Sequence, residues 1–405
     1  MIFLLAMTEI TPVMLMAQTL PVLLRRSGAS LEEVGSLYLV MSPWALKFLW
    51  APLVDRYGSE ARGRYRSWLL VVHPLLIAVV LGLAWVDLPL LLLSNRALAF
   101  LLLAVLTVVS ATADTAADGL AIGLLSAEER GAGNGFQMAG SMMGNLVGGG
   151  LLLISLQYLG WRNSLSLLAA LLLVPLAFVY LYREPPAAPR PPLSWREVAA
   201  PLLRPKLRRW LVLVAVIEAS YAIAYTPMQA LLSDQGLSLE EVGLVLGVLG
   251  SLAGTLGGAL GGVSVKRFGR RRSFFGGAVL TALGVLSLSF ATAPGVSRWL
   301  LYATVEAAIF GIMALGTVLY TMMMDRARGH LASSDYTLQY CALQLASFSA
   351  MALGGFLAES LGARGVFLLA PALVLLVFGS ASRLLSPHEF SAEPYPPEVP
   401  PAQKP

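Results

Sequence analysis

Runs of about twenty consecutive, mostly apolar residues follow one another along this chain, each long enough to cross a bilayer as a helix. Twelve can be read, over 1–23, 33–54, 67–86, 97–124, 132–155, 162–182, 209–232, 240–263, 273–293, 299–323, 335–358 and 362–382. Composition points the same way. Only 13% of the 405 residues are charged and 57% are hydrophobic, with mean hydropathy +0.74. A soluble domain carries about 25% charged residues to cover its surface. The expected fold class is therefore an all-α membrane protein. It has two six-helix bundles, 1–182 and 209–385, a polar Pro- and Arg-rich linker at 183–208, and a Pro-rich disordered tail at 386–405.

The basic residues give the expected orientation. Loops 55–66, 126–131, 183–209, 264–272, 325–334 and the residues from 383 onward hold 21 of the 28 Lys and Arg. The opposite loops hold Arg25, Arg26, Arg96, Arg162, Arg298 and Arg364. Positive-inside bias then places both termini in the cytoplasm. Arg25 and Arg26 run against it, as they would if the reading frame starts a few residues further upstream. No cleavable signal peptide is expected, since the first apolar run lacks a basic leader and a small-residue cleavage site. The net charge of +5 does not point to nucleic acid, because the cations are spread over membrane loops.

An internal repeat links the halves. Gly28-Ala29-Ser30-Leu31-Glu32-Glu33-Val34-Gly35 returns as Gly236-Leu237-Ser238-Leu239-Glu240-Glu241-Val242-Gly243, just before the second span of each half. Asp55-Arg56-Tyr57-Gly58 is answered by Lys266-Arg267-Phe268-Gly269 at nearly the same offset. Two parallel copies, six spans apart, resemble the major facilitator superfamily, whose halves rock around a central site.

Three features carry candidate chemistry. The first is Asp55 and Arg56 at the end of span 2, followed by Arg62, Arg64 and Arg66. A carboxylate there can latch to a facing helix N-terminus and open as the halves move. With Arg130 and Arg267 these residues form the expected cytoplasmic gate. The second is glycine at four-residue spacing, Gly140, Gly144 and Gly148 on span 5 and Gly250, Gly254, Gly258 and Gly262 on span 8. Such faces let backbones approach closely, and spans 5 and 8 are expected to meet across the halves.

The third is charge inside the spans, which is costly in lipid and so faces a bundle interior or a wet cavity. Glu9 and Glu218 each lie about nine residues into the first span of their half, near the midplane at about 1.5 Å per residue. They are the candidate proton-coupling carboxylates. Lys47, Asp114, Asp118, Glu306 and Asp325 are read as cavity charges, with Lys47 paired to Asp118 or Asp114. Trp44, Gln137, Asn145, Tyr221, Tyr225, Gln229 and Gln339 are the candidate substrate contacts, with Tyr336 and Tyr340 beside them or in an interfacial belt. Tyr221, Tyr225 and Gln229 are expected on one face of span 7.

No cofactor or metal site is expected. Cys341 is alone, and His73, His330 and His388 are scattered. There is no phosphate-binding glycine loop, so energy comes from a gradient. With His73 and His330 near loop ends, no Ser/His/Asp set can be assembled, and the chain is not expected to be an enzyme.

Lys47-Phe48-Leu49-Trp50-Ala51-Pro52-Leu53-Val54-Asp55-Arg56-Tyr57 resembles the span 2 signature of the AmpG-type branch of the superfamily. Ala127-Glu128-Glu129-Arg130-Gly131-Ala132-Gly133 and Ser334-Asp335-Tyr336-Thr337-Leu338-Gln339 resemble it too. That branch includes muropeptide permeases and inner-membrane siderophore permeases of the RhtX/FptX type. Asp118-Gly119-Leu120-Ala121 and Gly133-Asn134-Gly135-Phe136-Gln137 are closer to the siderophore group. Ala113 and Ser141-Met142-Met143 depart from its pattern. The resemblance implies a monomeric, proton-coupled importer of a ferric siderophore across a bacterial inner membrane. A muropeptide or other organic solute permease is the alternative, and a non-transporting sensor or scaffold a second one.

Overall fold

The computed structural model describes residues 1–20, 23, 40–184 and 205–384, and these are helical almost throughout. Helix α1 spans Ile2–Met14 and runs on as one π-turn through Leu15–Thr19. After it come α2 (Ser42–Leu46) and α3 (Ala51–Arg56), separated by a 3-10 turn at Lys47–Leu49. Next are α4 (Arg64–Ala84), α5 (Leu88–Ser94), α6 (Arg96–Leu124), α7 (Arg130–Asn145) and α8 (Leu152–Leu181). The second half has α9 (Pro205–Ala222), α10 (Tyr225–Asp234), α11 (Leu239–Val242), α12 (Gly250–Ser287), α13 (Arg298–Asp325) and α14 (Ala332–Leu384).

Eight stretches among the described residues are apolar and long enough to cross a membrane. Three of these are about twice the length a bilayer requires: Arg130–Leu181, Gly243–Phe290 and Ala332–Ala381. Each is interrupted by one glycine with positive φ and extended ψ, at Gly160, Gly269 and Gly362. That conformation is essentially closed to residues with a Cβ. The chain can therefore end one apolar helix and start the next with no loop. Linker residues 185–204, the tail, and the first copy of the repeat lie outside the described residues.

The second copy of the repeat explains its own sequence. The backbone N–H of Ser238 donates to Glu241 at 2.9 Å, and the N–H of Glu241 donates to the Ser238 hydroxyl at 3.2 Å. This reciprocal capping box satisfies donors that a helix start otherwise leaves unpaired. Asp87, Asn95 and Ser297 cap α5, α6 and α13 by the same logic.

The glycine faces divide differently from expectation. Gly140, Gly144 and Gly148 press on the backbone of Phe3, Met7 and Thr11 in α1, within the first half. The seam across the halves is made instead by Gly131 and Gly135 of α7 with Gly254, Gly258 and Gly262 of α12. A methyl on Gly262 would run into the backbone oxygen of Gly131. Gly131 and Gly135 precede Gly140 and Gly144 by nine residues, two and a half turns at about 3.6 residues per turn, so the two pairs face opposite sides of α7.

Candidate functional site

At the arginine-rich end of the bundle, two carboxylates join the halves. Asp55 closes α3 and is buried. It accepts from the Tyr65 hydroxyl at 2.6 Å, from the backbone N–H of Ser333 at 3.2 Å and of Ser334 at 2.8 Å, and from the Ser334 hydroxyl at 2.5 Å. Ser333 and Ser334 open α14, so the carboxylate sits on free amide donors at the positive end of a helix of the other half. Ser333 Oγ also donates to the Thr115 carbonyl of α6 at 2.7 Å.

Asp325, the last residue of α13, makes the second junction. It accepts from Arg130 of the first half at 2.9 Å, and from Arg270 Nε at 2.5 Å and Nη2 at 3.0 Å. Arg270 further donates to the Ala127 carbonyl at 2.6 Å. Asp325 was expected among the cavity charges, and the structure places it at a helix end in the junction with Arg130 and Arg270. Arg267, expected at the gate, is exposed and stacks on Phe268, while Arg270 is the residue that pairs with Asp325. The turn at Gly269 redirects the chain and aims residue 270, not 267, at the seam. Arg56 is exposed. Next to this layer, backbone and hydroxyl hydrogen bonds from Ser126 hold the exposed Glu129 carboxyl below its usual range.

One to two turns deeper lies a buried charge cluster. Lys47 is 0% exposed and ion-pairs with Asp114. Its ammonium lies 4.9 Å from the Trp44 ring and 4.3 Å from the Tyr340 ring, the latter on α14 of the other half. Asp118 accepts from Gln137 at 2.7 Å. Glu9 is buried beside this cluster. In the second half Glu218 accepts from Tyr221 and has Ser347 as a further partner. Tyr320 stands between these two groups, 6.1 Å from Tyr340. Glu9 Oε1, Trp44 Nε1 and Gln137 Oε1 are enclosed with no hydrogen-bond partner among the described residues.

Farther from the arginine-rich end, Gln18 donates to Asn145 at 2.7 Å, and Asn145 donates to Ser251 of the other half at 3.3 Å. Glu306 stands near Gly250, both carboxylate oxygens enclosed and unpartnered among the described residues. Three further expected contacts are placed as follows. The helix of span 7 breaks at Ile223–Ala224, so Tyr221 is buried while Tyr225 and Gln229 are exposed. Gln339 is already engaged, by Trp210 at 2.6 Å and by the carbonyls of Met323 and Asp335. His73 lies mid-helix in α4 and buried, not near a loop end.

The Major Facilitator Superfamily family model matches residues 1–348 and again 211–404. The chain belongs to the Major Facilitator Superfamily. Among relatives of this superfamily member, the anhydromuropeptide permease of Escherichia coli (strain K12) is 31% identical over 300 residues. The match takes in 72% of this chain but only 58% of the length of that permease. A Rickettsia conorii protein carrying the AmpG transporter name is 23% identical over 93% of this chain and 95% of its own. By sequence, then, the chain sits in the AmpG-like branch. In structure it resembles a bacterial homologue of the iron transporter ferroportin in its outward-facing state. The TM-score is 0.70, with 16% identity and coverage of 94% and 98%. At that identity the likeness speaks to the fold alone.

Proposed function

We propose that this superfamily member is a proton-driven secondary transporter that works by alternating access. Its twelve spans form two six-helix halves in a bacterial inner membrane. The arginine-rich end and both termini face the cytoplasm. The observation that carries this reading is the Asp55 junction, a buried carboxylate of one half held by the first turn of a helix of the other. Parting the halves breaks it, and closing them restores it. Asp325 with Arg130 and Arg270 forms a second junction of the same kind. Glu9 and Glu218, buried and close to the midplane, are the proton carriers.

The solute is a drug-sized organic molecule contacted by Trp44, whose indole N–H has a hydrogen bond to donate, and by Gln137, whose amide oxygen can accept one. The 31% identity to an anhydromuropeptide permease favours a muropeptide. A ferric siderophore is the second reading, favoured by the Asp118-Gly119-Leu120-Ala121 stretch. Proteoliposomes carrying the purified protein, loaded at alkaline pH and diluted into acidic buffer, separate the two. Accumulation of labelled anhydromuropeptide and not of a ferric siderophore is the expected result. Accumulation of neither overturns the reading.

A further inference from the structure

Within the buried cluster one ammonium faces three carboxyl groups, those of Glu9, Asp114 and Asp118. Lys47 ion-pairs with Asp114, and the Glu9 and Asp118 carboxyls are buried beside the pair. Asp114 is thus the direct partner of the ammonium. An ammonium held so deep stays charged only while a carboxylate remains beside it.

We propose that the Lys47–Asp114 pair is an exchange site for a carboxylate of an anionic solute. A proton from water adds to Asp114, whose carboxylate becomes a carboxylic acid. The ion pair with Lys47 breaks, and the solute carboxylate forms a new one with the same ammonium. The only covalent bond made is the O–H of Asp114. One proton and one negative charge enter together, so the cluster keeps its net charge and no ion is left alone in a low-dielectric interior. The solute class is thus an organic acid, whichever scaffold carries the acid group.

Access to this site is tied to the junctions. Tyr340 belongs to the half opposite Lys47 and lies 4.3 Å over the ammonium, so the pair is covered while the arginine-rich end is closed. Separation of that end withdraws Tyr340 along with Ser333 and Ser334, which lie on the same helix. The other titratable groups within electrostatic reach are Glu9 on α1, Asp118 on α6, Tyr320 on α13, and Tyr336 and Cys341 on α14. Glu218 on α9 reaches the cluster through Tyr320 and Tyr340. None of these is a second cation, so Lys47 alone can receive the solute's negative charge.

The proposal rests on the transport reading, and its test keeps the two apart. Uptake into proteoliposomes is measured at about pH 6 and about pH 8. The probes are an anhydromuropeptide, the same molecule with its carboxyls converted to carboxamides, and a ferric siderophore. Wild type is expected to take up the acid at least about tenfold faster at the lower pH and to prefer it over the amide by a similar factor. Asp114→Asn, which leaves Lys47 permanently released, should reduce the pH dependence to less than about twofold. Lys47→Gln should treat acid and amide alike, and Lys47→Arg should restore the preference. If Lys47→Gln fails to fold, the double variant Lys47→Gln/Asp114→Asn removes both charges and should show the same indifference. A full pH response in Asp114→Asn, or an acid preference in either variant lacking Lys47, overturns the exchange site and leaves transport intact. Wild-type uptake of none of the probes overturns the transport reading and the exchange site with it.

Discussion

Ser334 gives Asp55 both its backbone N–H, at 2.8 Å, and its hydroxyl, although 279 positions separate them. The two residues open and close different helices in different halves of the chain. The contact is therefore one that no rigid half can make by itself, and its strength sets how readily the arginine-rich end opens.

Asp55→Asn should loosen that end. The amide keeps the shape but loses the charge that binds three donors of α14, worth about 1.5–3 kcal/mol per hydrogen bond to a charged group. The expected outcome is a shift toward conformations open at the arginine-rich end. It should be seen as faster alkylation of a cysteine placed at Thr115, whose carbonyl takes the neighbouring Ser333 hydroxyl. Unchanged labelling would mean that the junction does not limit opening.

Asp325 should be the more costly residue to lose. It is 1% exposed, and its removal leaves Arg130 and Arg270 together without their shared carboxylate. Breaking a buried pair from one side costs about 3–5 kcal/mol, so Asp325→Asn should lower the melting temperature of the purified protein clearly. Arg130→Ala should cost less, because Arg270 still compensates the carboxylate. A cycle of the two arginine variants with Asp325→Ala should show coupling for each arginine.

Gly262→Ala tests the seam between halves. The added methyl meets the Gly131 backbone oxygen, which cannot rotate away as a side chain would. Loss of about 1–3 kcal/mol of stability, or a wedged seam with slow uptake, is expected. Gly247→Ala, with nothing within 4 Å of the added atom, is the matched control and should behave as wild type. Equal behaviour of the two variants would place the contact outside the moving interface.

Much of this architecture could be read from residue patterns, and the exceptions have physical causes. Apolar runs marked the spans because the bilayer allows few other arrangements. Asp55 stood out because an acid among arginines at a helix end has few other uses. Span 7 misled because a repeat at every fourth residue implies one face only while the helix continues, and it breaks at Ile223–Ala224. Arg270 was missed for Arg267 because the Gly269 turn lies between them. Asp325 lies 207 residues after Asp118, close to the spacing of the repeat, but only the three-dimensional arrangement shows that it ends α13 beside Arg130. The second gate therefore became visible only once both halves were in place.

The most direct test of the central claim compares proton-driven accumulation with exchange in wild type and Glu218→Gln, using proteoliposomes and labelled anhydromuropeptide. Wild type should concentrate the solute when the outside is acidic, and should exchange it without a gradient. Glu218→Gln should exchange but not concentrate, because the carrier moves while the proton path lacks its seat in the second half. Full accumulation by Glu218→Gln would contradict the coupling role of Glu218, and gradient-independent behaviour of the wild type would contradict proton-driven transport itself.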